Sequence, residues 1–426
     1  MSALVPFATA SAIADAVNSG TVTARSVIEA ALTRAHQSNP TINAFSAVLA
    51  DRALASADAV DAGAKGPLAG VPFAVKNLCD LARETTLAGA KITASDPPAT
   101  QDADMVKRLE AAGAICIGAL HMGEFAYDFT GENAHYGPVR NPHDTSRMTG
   151  GSSSGSGAAV AAGVVPLALG SDTNGSLRVP SSLCGVLSLK PTYGRLSRGG
   201  TYPFVDSLDH IGPFARTVDD LAATYDAMQA PGPVRDHAIA DVLPELTRTQ
   251  LAGPPVRVGI PRGFFDECSG EEALARRAEA AAVFGPTVDI DLPGAKAGRA
   301  AAYLITNAEA AAFHLERLEA HASEFDRDTR DRLLAGALLP APWILRAQRV
   351  RRWWQDQVLS AFKTANVDVF LVPATPFTAP KIGQDTLTIA GREVPLRPSL
   401  GLLAQPFSCI GLPVVTVPVF TPGTLP

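Results

Sequence analysis

The sequence predicts an α/β fold, with helices covering both faces of a largely buried β-sheet. Three observations carry this expectation. Apolar strand-like stretches alternate with amphipathic helical ones through the first half of the chain. The stretches "LAGVPFAVKNL" and "AGAICIGAL" are almost unbroken apolar runs, as in strands buried on both sides. Alanine and glycine are abundant while aromatics make up 6% of the chain, which suits helices packed closely on a sheet.

The elements follow in order. "TARSVIEAALTRAHQSNP" sets Val27, Ile28, Ala31, Leu32 and Ala35 on one helical face, with Thr23 as N-cap and Pro40 as the stop. "INAFSAVL" reads as a short strand and "RALASADAVDA" as a helix. "LAGVPFAVKNL" is an apolar strand with Lys76 near its end, and "DADMVKRLEAAGAICIGAL" is a helix, a glycine turn and a buried strand. Between about 230 and 345 the character changes. "APGPVRD" and "AGPPVRVGIPRG" are rich in proline and glycine, and the helices after them are rich in alanine and charge. We read this stretch as laid over the core, so that residues 1–426 form a single domain. "VDVFLVPATP" and "IGLPVVTVPVF" return to core strand, and "RAQRVRRWW" reads as a solvated helix face with buried tryptophans.

Composition narrows the function classes. With 46% hydrophobic and 18% charged residues the chain can bury an extensive core. A net charge of −6 argues against a nucleic-acid-binding surface. The five cysteines form no C-x-x-C pair and the histidines show no ligand spacing, so free thiols are expected and a metal is not. The N-terminus lacks the charged and apolar regions of a signal peptide, and the alanine- and valine-rich run at 158–170 is too short to span a membrane. A cytoplasmic protein with no membrane partner is the expectation.

Three pieces could carry chemistry. Lys76 ends an apolar strand, where lost hydration disfavours the charged amine. "RMTGGSSSGSGAAV" at 147–160 and Gly170 through Ser176, "GSDTNGS", are glycine- and serine-rich loops embedded in apolar sequence. Such turns expose successive backbone N–H groups that can hold an oxyanion, and a serine at the end of one is placed to attack a carbonyl carbon. They read equally well as structural turns between core elements. A serine nucleophile needs a base, and His121, His135 and His210 reach these loops only through folding.

"AVKN", "GGSSSGS" and "GSDTNGSLRVPSSLCG", followed by "LKPTYGR" and "DHIGPFARTVDDLA", resemble the amidase signature family. The likeness runs from about residue 9 to the end and is densest over 66–220. It implies the amidase signature fold, a large mixed, twisted β-sheet core covered on both faces by helices. It also implies a serine, cis-serine and lysine triad, with Ser176 as nucleophile, Ser152 as the relay serine behind a cis peptide bond, and Lys76 as base. Thr173, Asn174, Gly175 and Ser176 would supply the oxyanion hole, and no cofactor is called for. Two departures stand out. Family members mostly carry glycine where Asn174 stands, and their "MDEFA" is "MGEFA" here, which leaves the usual aspartate's role unfilled at Gly123. Relatives also continue with a further strand and a final helix, which the resemblance makes missing here.

Within the family, the run from Ser171 to Thr217, "VPFAVKNL" and "ENAHYGPVRNPHD" resemble the carboxybiuret hydrolase branch. That resemblance implies hydrolysis of the terminal amide of 1-carboxybiuret to urea-1,3-dicarboxylate and ammonia. It also implies a homodimer of this chain with a small helical partner subunit, together a heterotetramer. A carboxylate-bearing substrate calls for a nearby cation. Arg178 is a candidate, or else a structural arginine, and Tyr127 and Asn174 are further candidate contacts. Two alternatives stand beside this: the glutaminase subunit of a glutamyl-tRNA amidotransferase, and a catalytically silent scaffold of the same fold.

Overall fold

Thr23 begins the first long helix as expected: its side chain accepts the N–H of Ser26, and the helix α1 runs Ala24–Ile42. Pro40 does not stop it. A proline inside a helix removes one N–H donor and crowds the preceding turn, yet the helix continues to Ile42. The stop is Asn43, which takes the left-handed conformation at φ 52 and donates its N–H to Asn39 O. The computed structural model describes residues 2–63, 65–229, 236, 255–389, 391–421 and 423–426. "APGPVRD" except Asp236, and the first residues of "AGPPVRVGIPRG", lie outside the described residues.

The main sheet has seven strands. They are β1 (Phe45–Val48), β2 (Pro72–Lys76), β3 (Ile115–Leu120), β4 (Leu167–Asp172), β5 (Leu187–Lys190), β6 (His210–Ala215) and the edge strand Val414–Thr416. Across the sheet the order is β1, β3, β2, β4, β6, β5 and the edge strand. β3, β2 and β4 run parallel, while the other pairings are antiparallel, so the sheet is mixed. Every residue of β2, β3, β4 and β6 is buried. Successive strand side chains point to opposite faces, so both faces of the sheet's centre are covered.

On the central strands lies a helix made almost wholly of small residues, α2 (Ser154–Ala161). Its sequence, "SGSGAAVA", has no strong helix-forming face; what it offers is close approach. A Cβ at Gly155 would meet Ala44 O at 2.4 Å and the His121 backbone at 2.8 Å. Any side chain there would push the helix off the sheet and carry the serine loop with it.

The stretch beyond 255 builds a second layer. Val258–Pro261, Val288–Ile290 and Val369–Phe370 form a separate three-stranded parallel sheet. Of "VDVFLVPATP", then, only two residues are strand, half-buried at best and outside the main sheet, because Pro373 and Pro376 cannot donate to a ladder. "IGLPVVTVPVF" does contribute to the main sheet, through Val414–Thr416 pairing with β5. Three helices pack together here, α3 (Ala295–His321), α4 (Arg327–Ala337) and α5 (Ala341–Ala365). Of the two tryptophans in "RAQRVRRWW", Trp354 is fully buried and donates its indole N–H to Pro406 O, while Trp353 is exposed.

Candidate active site

Two neighbouring parallel strands, β2 and β4, end on the same edge of the sheet, with Val75 opposite Leu169. The carboxyl ends of parallel strands are where α/β folds present polar groups. Here they deliver Lys76 from one strand, and Ser171 and Asp172 from the other. Lys76 is completely buried, and its Nζ donates to Ser152 Oγ at 2.6 Å and to Ser171 Oγ at 2.8 Å. Burial pushes its pKa down to about 7, against the pull of Asp209, Cys79 and Asp172. An amine in this environment is part neutral at neutral pH.

Ser152 arrives on the loop before α2, and the Gly151–Ser152 peptide bond is cis. The loop is stitched to its surroundings. Gly151 N–H donates to Phe129 O, Ser152 O accepts from Gly123 N–H, and Ser153 Oγ bonds Ser171 through both its O and its N–H. Ser171 lies in the glycine- and serine-rich stretch singled out by sequence, but no role was assigned to it there. The only signal for it is a hydroxyl in a strand otherwise apolar up to that point.

The turn after β4 is organised by Asp172. Its carboxylate accepts the N–H groups of Gly175 at 2.8 Å and Leu177 at 3.1 Å, and both Nε and Nη2 of Arg178. Burial alone would raise the Asp172 pKa, but Arg178, Lys190 and His210 outweigh it and hold the carboxyl well below the usual range. The Gly175 N–H is therefore turned to Asp172 and is not available to an oxyanion, which corrects that part of the expected hole. The N–H groups of Thr173, Asn174 and Ser176 have no acceptor among the described residues. Thr173 is fixed through its hydroxyl, which donates to Asp209 at 2.6 Å.

Arg178 is also corrected. It is buried, its guanidinium is bidentate on Asp172, and two further N–H groups go to Ala404 O and Ser408 Oγ. It does not line the cavity next to Ser176. Of the histidines, His135 bonds Glu124 and His210 bonds Lys190 and two backbone carbonyls. Burial pushes His121 down to about 4. None of the three bonds Ser152 or Ser176. A second fully buried lysine, Lys190, donates to Pro191 O and His210 Nε2, and burial brings it to about 7 as well.

Ser176 opens onto a cavity of about 530 Å³. Tyr127 and Asn174 both line it. The Tyr127 ring lies beneath the Arg332 guanidinium, 4.1 Å from the ring centroid, and its hydroxyl is buried without a partner among the described residues. Asn174 Nδ2 donates to Thr306 Oγ1 at 2.7 Å, and Oδ1 has no partner among the described residues. The opposite wall comes from α3, α4 and the segment before the edge strand, through Arg299, Tyr303, Thr306, Arg332, Arg397 and Gln405. Sequence reading missed all six, because they sit in the part of the chain without motifs. Among the described residues, no cluster of histidine, cysteine, aspartate or glutamate is arranged to hold a metal ion.

The Gly123 departure has a structural counterpart. A Cβ at Gly123 would lie 2.6 Å from the Asp128 Cβ and 3.5 Å from its carboxyl carbon. Asp128 occupies the space a side chain at 123 would need, and its carboxylate accepts from Thr130 N–H, Gly131 N–H and Arg397 Nη1. A carboxylate does stand at this spot, supplied from five residues further along.

The chain is similar to known proteins along nearly its whole length. The family described as Amidase matches residues 26–424. AtzE, a 1-carboxybiuret hydrolase subunit from Pseudomonas sp. (strain ADP), is 49% identical over 417 residues, covering 96% of this chain and 91% of that protein. A glutamyl-tRNA(Gln) amidotransferase subunit from Symbiobacterium thermophilum is 36% identical over 443 residues, covering 94% and 87%. Among solved structures, a chain from a vestigial protein complex that bears on the origins of an s-triazine catabolic enzyme superposes with a TM-score of 0.93. It shares 48% identity over 96% of this chain and 90% of that one. The corresponding glutamyl-tRNA(Gln) amidotransferase structure from Thermotoga maritima gives a TM-score of 0.77 at 29% identity, covering 94% and 86%. A buried lysine joined to a serine loop on a mixed sheet, with a family match over nearly the whole length, leads to one conclusion: the chain belongs to the amidase family, hydrolases of amide C–N bonds.

Proposed function

We propose that this chain hydrolyses the terminal amide of 1-carboxybiuret, using Lys76, Ser152 and Ser176 as a proton relay and nucleophile. The observation that carries the chemistry is the 2.6 Å bond between the buried Lys76 Nζ and Ser152 Oγ. The substrate rests on the identity shared with AtzE. Neutral Lys76 accepts the Ser152 proton, Ser152 takes that of Ser176, and Ser176 Oγ bonds to the amide carbon. The carbonyl electrons move to oxygen, where the N–H groups of Thr173, Asn174 and Ser176 receive the charge. The C–N bond breaks as Ser152 returns a proton to nitrogen, and ammonia leaves. Water then attacks the acyl-enzyme by the same relay, releasing urea-1,3-dicarboxylate and restoring Ser176.

A dimer of this chain with a small helical partner subunit, together a heterotetramer, belongs to the same proposal. Its support is the exposed apolar side chains of Trp343, Leu345, Trp353 and Leu359 along α5, together with the kinship to a chain solved within a protein complex. We place the enzyme in the cytoplasm, in keeping with five cysteines that are all free.

The test is ammonia release from 1-carboxybiuret, biuret and glutamine in parallel. Turnover of the carboxylated ureide supports the proposal. Consumption of glutamine alone replaces it with the glutaminase subunit of an amidotransferase. A fluorophosphonate probe that leaves Ser176 unlabelled would make the chain a silent scaffold.

A further inference from the structure

Three guanidinium groups line the Ser176 cavity, and they differ in how their charge is met. Arg397 is surrounded by carboxylates: Asp128 at 2.6 Å, Asp328 at 3.1 Å and Glu132 at 3.8 Å. Arg332 makes no ion pair with a carboxylate of the described residues, but its Nε is satisfied by Asp328 O and its guanidinium carbon stands over the Tyr127 ring, 4.1 Å from the centroid. Arg299 is half-buried and donates Nη2 to Pro398 O at 3.2 Å. Its Nε is buried without a partner, and no carboxylate of the described residues lies within ion-pair distance. A desolvated guanidinium without a counter-charge costs free energy that a bound anion recovers.

The position of Arg299 fits the far end of a short substrate. Residues 299, 303 and 306 fall on one face of α3, and all three line the cavity. Thr306 holds Asn174, two residues before Ser176. Arg299 lies seven residues from Thr306, about 10 Å along the helix axis. In 1-carboxybiuret the terminal amide carbon and the carboxylate carbon are four bonds apart, about 5 Å when extended. An attack distance of about 3 Å at one end and a charge-assisted hydrogen bond of about 2.8 Å at the other give the same scale. Two buried acceptors without partners, Asn174 Oδ1 and Gln405 Oε1, also line this cavity, as a molecule with N–H groups between its ends requires.

We infer that Arg299 is the specificity-determining residue that binds the substrate's carboxylate, at the end of the cavity away from Ser176. This rests on the carboxylated-ureide reading given above. The probes are glutaramate, a stable carbon analogue with four bonds between amide and carboxylate carbons, and glutaramide, its uncharged counterpart. Binding of both is measured by calorimetry in the Ser176→Ala protein, alone and combined with Arg299→Gln or Arg299→Lys. The expected result is that glutaramate binds more tightly than glutaramide. Arg299→Gln should weaken glutaramate roughly 10- to 100-fold and leave glutaramide unchanged, with Arg299→Lys restoring part of the loss. In the otherwise wild-type enzyme, Arg299→Gln should raise KM for 1-carboxybiuret far more than it lowers kcat. If the preference for glutaramate survives Arg299→Gln, or disappears in Arg332→Gln instead, the assignment is overturned and the substrate class stands. If the Ser176→Ala protein shows no preference for the charged analogue, the substrate class itself fails and takes the assignment with it.

Discussion

Lys76 Nζ stands 2.6 Å from Ser152 Oγ and 2.8 Å from Ser171 Oγ, wholly out of solvent. Hydroxyls are its side-chain partners, and no carboxylate bonds it. An ammonium group in this setting would lack a counter-ion in contact, which is why burial governs its titration.

Removing either end of the proposed relay should abolish turnover. Ser176→Ala is expected to lower kcat by a factor on the order of 10⁴ to 10⁶, and Lys76→Ala by a comparable factor. Ser152→Ala is expected to cost about 10² to 10⁴, the usual contribution of a general acid and base. Ammonia release measures all three. Near-wild-type rates in the Lys76 variant would remove lysine from the mechanism.

The pH profile follows from the sign of the Lys76 shift. Burial lowers its pKa to about 7, and the neutral amine is the form that accepts a proton. The rate constant kcat/KM should therefore climb about tenfold per pH unit below 7 and level off above it. Lys190 also titrates near 7, but it is not among the charges acting on Lys76. The limb should accordingly persist in Lys190→Met. A profile flat between pH 5 and 7 in the wild-type enzyme would contradict a neutral-lysine base.

Arg178 should behave as a structural residue. Removing one partner of its buried pair with Asp172 leaves an uncompensated charge, at a cost of roughly 3–5 kcal/mol. Arg178→Met is expected to lower the unfolding temperature sharply. A folded, stable Arg178→Met protein with only KM raised would return this residue to substrate binding.

Gly123 and Asp128 should be coupled. Gly123→Asp drives a side chain into the Asp128 Cβ, with an overpacking cost of about 1–3 kcal/mol. Asp128→Gly frees that space but gives up the bonds to Thr130, Gly131 and Arg397. The double variant should be more stable than the two single losses add up to, as a double-mutant cycle by denaturant unfolding would show. Strict additivity would mean the two positions do not compete for one volume.

Much of the site was legible in the chain, but unevenly. Lys76, Ser152 and Ser176, the groups of the proposed relay, lie in motifs that carry the family resemblance, and the buried central strands follow from their unbroken apolar runs. Ser171 lay in the stretch picked out by sequence but was given no role, because a hydroxyl at the end of such a strand looks like ordinary filling. Arg178 and Gly175 were misassigned for one reason: nothing local tells that Asp172 takes up both. Hydrogen-bond capacity is finite, and only the fold shows where it is spent. Arg299 and Thr306 were invisible, since a helix more than a hundred residues downstream becomes a wall only when it docks. The Pro40 and "VDVFLVPATP" errors concern boundaries, where a left-handed asparagine and two prolines override the apolar pattern.

The face that α3 turns toward Ser176 separates reactivity from choice. The groups of the proposed relay come from before residue 180, whereas the surface opposite them comes from one side of a single helix and its neighbours. Positions such as 299 and 303 can thus be exchanged without touching the relay. A combinatorial library confined to them would redirect the protein toward other short amides while its hydrolytic power stays in place.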